Sequence, residues 1–194
     1  AEDRAHYYPG AAGVLMKLVA DKKTGRLLGV QAVGPGDVSK RVDSAVAAIA
    51  AGMTVDQVSK LDLCYAPPYA SAMDNLITAA NVLRNKLEGR MEGISTIEVK
   101  AMMDRGEEFF MLDARSPGEV QEAAIPGAVN IPLGKVRGSI EEVPADKPVI
   151  VFCALSLRGY EASLILKAGG RTDVKVMEGG VAMWPYQTVR NAGS

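Results

Sequence analysis

The sequence predicts two units of different class: an α+β unit with an antiparallel sheet and helices, then an α/β unit with a mainly parallel sheet and helices on both faces. Three observations predict it. Two strand-like runs precede three helical stretches in the first half. Strand-like and helical stretches alternate in the second half. Between them, Glu88-Gly89-Arg90-Met91-Glu92-Gly93 breaks the helical pattern with two glycines and mixed charge. The boundaries this gives are residues 1-90 and 93-190, and a chain of 194 residues suits two domains.

In the first unit, Val14 to Ala20 and Leu27 to Val33 are apolar runs on either side of the polar loop Asp21-Lys22-Lys23-Thr24-Gly25, which reads as an antiparallel hairpin. Ser39 is the expected N-cap of a helix presenting Val42, Ala45, Val46, Ile49 and Ala50, with Gly52 as its stop. Thr54 and Gln57 form a capping box for a short second helix. An irregular stretch holds Tyr65-Ala66-Pro67-Pro68-Tyr69, and a third helix is expected from about Ala72 to Leu87, burying Met73, Leu76, Ile77, Ala80 and Leu83.

In the second unit, Ser95 with Glu98 caps a helix that Gly106 ends, and Phe109 to Leu112 is a short strand. Ser116-Pro117-Gly118-Glu119 is another capping box, with Pro at the first helical position. Val149 to Phe152 is continuously apolar, as a strand covered on both faces should be. A helix follows Arg158 with Leu164, Ile165 and Ala168 inward, and a strand is expected from Val174 to Met177.

Composition excludes several classes. The net charge is −1 with no basic stripe, so the chain lacks the electrostatic footprint of a nucleic-acid binder, and Arg84, Lys86 and Arg90 read as a solvated helix end. No apolar run approaches the roughly 18 residues of a membrane span. The two cysteines, Cys64 and Cys153, are far apart and make no disulfide framework, which fits a reducing cytoplasm. The chain opens Ala1-Glu2-Asp3-Arg4 without an initiator Met, and the expectation is a piece of a longer protein. Gly34-Pro35-Gly36-Asp37-Val38-Ser39 imitates a dinucleotide fingerprint, but Ser39 stands where the third glycine should and the preceding strand belongs to a hairpin. No metal cluster is expected.

Cys153 ends the apolar strand, the position where ligands bind in open α/β sheets. The loop Ala154-Leu155-Ser156-Leu157 leads into a helix, so its N–H groups and the helix dipole can converge on the sulfur, and Arg158 adds a full positive charge. Such a pocket favours a thiolate without a general base. The single histidine, His6, lies at the far end of the chain, which argues against a Cys-His pair. A small buried residue ending a core strand is the competing reading of Cys153.

Leu112-Asp113-Ala114-Arg115-Ser116-Pro117, Ile125-Pro126-Gly127-Ala128-Val129-Asn130-Ile131-Pro132, Cys153 to Arg158, and Gly179-Gly180 with Trp184 together resemble the rhodanese family. The resemblance implies a sulfurtransferase in which Cys153 accepts sulfane sulfur and Ala154, Leu155, Ser156, Leu157 and Gly159 cradle the persulfide, with Asp113 and Arg115 as a structural pair near the loop. Three positions depart from the usual pattern: Ala124 replaces a histidine, Ser156 a loop glycine, and Gly159 a serine. Four residues separate Cys153 from Arg158, as in sulfur-transferring rhodaneses; related phosphatases have five, which makes a phosphatase the weaker reading.

The hairpin, the helix ending in Ala-Gly-Met-Thr, and Tyr65-Ala66-Pro67-Pro68-Tyr69 resemble the C-terminal dimerisation domain of flavin-dependent pyridine-nucleotide disulfide reductases. The resemblance is strongest to the coenzyme A disulfide reductases and NADH-dependent persulfide and polysulfide reductases with a fused rhodanese, whose loop Leu157-Arg158-Gly159-Tyr160 also resembles. It implies a homodimer through residues 1-90, with Tyr7 and Tyr65 reaching the partner's redox cysteine and coenzyme A sulfur. It further implies small sulfur species (persulfide, polysulfide, thiosulfate) and coenzyme A as partners. FAD and NAD(P)H would be bound in the parent enzyme, and no cofactor by this fragment. Cys64 is expected to be a buried free thiol. The alternative is a rhodanese-type docking module that binds anions without turnover.

Overall fold

A computed structural model describes residues 1–190. The chain divides into two compact units, Ala1–Arg90 and the remainder from Met91 onward. In the first, β1 (Leu15–Ala20) and β2 (Leu27–Val33) form an antiparallel hairpin. The Asp21 carboxylate closes its loop by accepting from the Lys23 and Thr24 N–H groups at 3.0 and 2.7 Å. Three helices follow: α1 (Ser39–Ala50), α2 (Val55–Ser59) and α3 (Asn75–Leu87). They bury Ala45, Ala48, Val55, Val58, Leu76 and Ala80 together with Leu27, and Met16, Leu18 and Val30 of the sheet pack on that core. The Thr54–Gln57 capping box forms as expected.

Helix boundaries and faces differ from expectation. Ser39 is the first residue of α1 and not its cap. The buried positions of α1 are Arg41, Ala45 and Ala48, while Val46 and Ala50 are exposed. The third helix starts at Asn75, with the Asp74 carboxylate accepting from the Leu76 N–H at 3.0 Å, and Met73 is exposed outside it.

Arg41 is the reason the α1 face is rotated. Its side chain is fully buried, donating from Nε to Asp74 Oδ2 at 3.0 Å and from Nη1 to the Asp37 carbonyl at 2.7 Å. Nη2 donates to the carbonyl of Asp3. One guanidinium thus satisfies acceptors from three segments, and its charge is matched by Asp74, which keeps the burial affordable.

In the second unit, β3 (Gly93–Ile94), β4 (Phe110–Asp113), β5 (Val129–Asn130), β6 (Val149–Phe152) and β7 (Val174–Met177) form one sheet. The order is β3-β7-β6-β4-β5 with every pair parallel. Side chains of β6 alternate between two cores. Val149 and Val151 join Val136 of α6 (Leu133–Val136) and Ala162 and Leu166 of α7 (Leu157–Ala168). Ile150 and Phe152 join Val99 of α4 (Thr96–Asp104), with Met111, Met177 and Trp184. Helices therefore cover both faces, and β6 can be apolar throughout because neither face meets water.

The capping boxes Ser95–Glu98 and Ser116–Glu119 both form, the second starting α5 (Pro117–Glu122). Helix α7 begins one residue before Arg158, and its inward residues are Gly159, Ala162, Ser163 and Leu166; Leu164 and Ala168 are exposed. Small residues let α7 lie close to the sheet, so the expected large apolar face is displaced.

Arg41→Ala would leave the Asp74 carboxylate buried without its cation. The expected cost is about 3–5 kcal/mol in the first unit. It would be read as a lower urea midpoint by circular dichroism, with fluorescence of Trp184, the one tryptophan of the chain, as the control for the second unit.

Candidate functional site

Cys153 follows β6 directly, and its thiol is buried. The loop after it is backed by the 3-10 turn Gly180–Met183. The Val181 and Ala182 N–H groups donate to the carbonyls of Cys153 and Ala154 at 3.0 and 2.9 Å. A Cβ at Gly180 would lie 2.2 Å from the Cys153 carbonyl oxygen and 2.6 Å from that of Leu155. Three successive carbonyls therefore face one turn. Because each peptide is trans and planar, the N–H groups of Ala154, Leu155 and Ser156 point to the opposite side. Successive N–H groups on one side, followed by the start of a 12-residue helix, make an anion-binding concavity.

The departures from the usual pattern have local explanations. Ser156 Oγ accepts from the Gly179 N–H at 3.0 Å and donates to the Leu155 carbonyl at 2.7 Å, tying the loop to the turn. A Cβ on Gly159 would sit 3.2 Å from Phe152 Cα, so glycine lets α7 approach the strand. Ala124 is buried, and its backbone exchanges hydrogen bonds with Val189 at 2.8 and 2.9 Å.

Arg158 supplies the charge. Its guanidinium makes a two-pronged pair with Glu119, Nη1 to Oε2 at 2.7 Å and Nη2 to Oε1 at 2.6 Å. Arg158 holds the Glu119 carboxyl down to about 2, and Glu119 in turn raises Arg158, with a smaller contribution from the Cys153 sulfur. Arg158 is thus held by the carboxylate while its charge acts on the nearby sulfur. Glu119 also accepts from Ser116 Oγ at 2.7 Å and from the Ser116 N–H at 3.0 Å.

Asp113 and Arg115 form a buried ion pair beside this site. Arg115 Nη2 lies 2.6 Å from Asp113 Oδ2, and Nε reaches both carboxylate oxygens at 3.0 Å. The same guanidinium donates to the carbonyls of Glu119 and Ala123 at 3.3 and 2.7 Å. Asn130 Nδ2 donates to the carbonyls of Asp113 and Arg115, each at 2.9 Å. Asp113 pairs in register with Phe152, the residue before Cys153. Glu119, Asn130 and Gly180 were not singled out as site residues from sequence. For Glu119 the capping box was legible, but its second partner lies 39 residues away.

In the first unit Tyr7 and Tyr65 come together. The neighbouring Tyr7 phenol holds the Tyr65 hydroxyl above its ordinary value, and both rings are exposed. Lys40 Nζ donates to the Tyr69 carbonyl at 2.5 Å and anchors the segment after Tyr65. Cys64 is exposed, contrary to the expected buried thiol: it belongs to the irregular stretch between α2 and α3, outside the apolar core. Among the described residues no helix is long and apolar enough to cross a membrane, and no group of three or more His, Cys, Asp or Glu could hold a metal ion.

Gly180 has φ +53, and any side chain there would strike two loop carbonyls. Gly180→Ala is expected to destabilise the second unit by more than about 1 kcal/mol in urea unfolding followed by Trp184 fluorescence. A second expectation follows from the lowered carboxyl of Glu119. Its pairing adds stability that is present above 4.5, its ordinary value, and is lost as pH falls toward about 2. Glu119→Gln keeps the capping hydrogen bonds and removes the charge, so its stability deficit relative to wild type should shrink over that interval.

Residues 95–186 match the rhodanese-like domain, and residues 1–77 match the dimerisation domain of the pyridine nucleotide-disulphide oxidoreductases. A Pyrococcus furiosus NAD(P)H sulfur oxidoreductase (CoA-dependent) is 50% identical over 84 residues, which is 43% of this chain and 19% of that protein. A sulfurtransferase of Allochromatium vinosum is 30% identical over 78 residues, covering 40% of this chain and 73% of that protein. The solved NAD-dependent persulfide reductase of A. fulgidus superposes with a TM-score of 0.86 at 45% identity, over 95% of this chain and 33% of that one. The chain spans about a fifth to a third of the reductases that it resembles. It belongs to the rhodanese-like family through residues 95–186, preceded by a dimerisation domain of the pyridine nucleotide-disulphide oxidoreductases.

Proposed function

We propose that Cys153 carries sulfane sulfur as a persulfide and delivers it to the flavin site of a coenzyme A disulfide or persulfide reductase, of which this chain is the C-terminal part. The observation that carries the reading is the surroundings of Cys153: N–H groups turned to one side of its loop, the start of α7, and the charge of Arg158 near the sulfur. These stabilise an anion on sulfur in both states of the cycle, thiolate and persulfide. In the loading step the thiolate attacks the outer sulfur of a persulfide R–S–SH, the Cys153–S bond forms, the R–S bond to that sulfur breaks, and RS⁻ leaves. Arg158 and the loop donors hold the transferred sulfur as it takes up charge.

Residues 1-90 would bring two copies together, placing Tyr7 and Tyr65 of one copy at the redox centre of the other. Two neighbouring phenols can donate to a sulfur anion. Coenzyme A, FAD and NAD(P)H would be held by the parent enzyme, whose larger part lies outside this chain.

Incubation of the chain with excess polysulfide or an alkyl persulfide should add the mass of one sulfur atom to Cys153, and removal by cyanide should follow. Cys153→Ser should gain none. Equal gain by that variant overturns the assignment. Gain without transfer to cyanide favours an anion-binding docking module.

A further inference from the structure

Each guanidinium at this site has a carboxylate of its own. The loop 153–159 and the segment 179–184 carry one charged side chain between them, Arg158. Both of its terminal nitrogens are committed to Glu119, at 2.7 and 2.6 Å. Arg115, the other cation beside the site, is matched by Asp113 at 2.6 Å. Glu119 is also pinned from behind, since its Oε2 accepts from the Ser116 Oγ and N–H at 2.7 and 3.0 Å. Arg158 draws the Glu119 carboxyl down to about 2, so it stays ionised at neutral pH. Capping alone asks for no such charge. A glutamine at the third helical position closes the same box, as Gln57 does with Thr54 in the first unit. The carboxylate at position 119 therefore adds what the cap does not need, a fixed negative charge against the one guanidinium of the loop.

We infer that Glu119 is a specificity-determining residue: by cancelling the charge of Arg158 it lets the loop hold a singly charged sulfur and turns away doubly charged tetrahedral oxyanions such as sulfate. The inference rests on the persulfide role proposed for Cys153 and specifies what the same site excludes. A thiolate or persulfide carries one charge, which the N–H groups of Ala154, Leu155 and Ser156 and the start of α7 can meet by themselves. A divalent oxyanion gives up a larger hydration energy on entering, and only a net positive charge returns it. With Glu119 ionised, Arg158 offers N–H donors without net charge, and the second charge of the oxyanion meets a carboxylate across the guanidinium. Glu119 touches neither sulfur nor donor in this scheme. It acts through Arg158, by the charge it subtracts.

The test is sulfate binding to the full chain at constant ionic strength, followed by the amide NMR shifts of Ala154, Leu155 and Ser156. Sulfur loading of Cys153 from an alkyl persulfide is measured in parallel by mass spectrometry. Glu119→Gln keeps the cap and one amide oxygen for Arg158 while removing the charge. Its sulfate affinity should exceed that of wild type by about tenfold, the order expected when one charge is removed near a divalent anion in partly screened surroundings. Glu119→Asp keeps the charge and should bind sulfate as weakly as wild type. Glu122→Gln removes the same charge from an exposed position of the same helix and should change nothing. Circular dichroism checks that the variants fold. A purely structural Glu119 would give the opposite sign, because a loosened Arg158 binds an anion less well. No gain or a loss in Glu119→Gln, or an equal gain in Glu119→Asp or Glu122→Gln, therefore overturns the assignment. Tight, micromolar sulfate binding by wild type overturns it without any variant. Absence of sulfur loading in wild type overturns the persulfide role instead, and the sulfate series reports on Glu119 separately.

Discussion

A single carboxylate, that of Glu119, sits between two helix starts. Toward its own helix it accepts from Ser116 and closes the first turn of α5; toward α7 it grips Arg158 with both oxygens. A six-residue helix such as α5 has little stability of its own, so its position must come from contacts outside it. Arg115 provides them at the other end by binding the carbonyls of Glu119 and Ala123, and Arg115 is itself fixed by Asp113 at the end of β4. The route from the sheet to the sulfur is thus a series of charge-assisted bonds, Asp113 to Arg115, then α5, then Glu119 to Arg158. Each member of this series bears on where the Arg158 guanidinium is held.

The first unit uses buried charge in the same way at a different scale. Residues between α2 and α3 and those before β1 contain little regular structure, and their backbone carbonyls need donors. Arg41 reaches out of α1 to the carbonyls of Asp3 and Asp37 and to the Asp74 carboxylate. Asp3 completes the arrangement by accepting from the Asp37 N–H at 3.0 Å and the Ala12 N–H at 3.1 Å. The segments that carry Tyr7 and Tyr65 are therefore held from the helix layer, and the placing of the phenols depends on it.

What was legible in the sequence was local. All three capping boxes, at Thr54, Ser95 and Ser116, form because their partners lie three residues apart. The apolar run Val149 to Phe152 announced a strand covered on both faces, and Cys153 stands where that strand ends. The errors arose where partners are distant. Arg41 is buried with Asp74, 33 residues on, as its counter-charge, and that burial turns α1 away from Val46 and Ala50. In α7 the close approach to β6 selects Gly159, Ala162 and Ser163 over the larger Leu164. The resemblance, which leaves Cys64 no redox role, makes it a buried thiol, but the irregular stretch that holds it leaves it exposed.

The turning of three loop carbonyls toward Gly180–Met183 has a consequence for how the site responds to its medium. Peptide N–H groups do not ionise, and the paired Arg158 keeps its proton through the whole physiological range. The chain's one histidine, His6, belongs to the other unit. The field that receives a sulfur anion is therefore set by covalent geometry and not by proton concentration, so the site's hold on a charged sulfur stays constant when cellular acidity drifts. Any response of the site to physiological acidity therefore comes from the sulfur groups themselves, because the N–H groups, Arg158 and Glu119 around them keep their protonation states there.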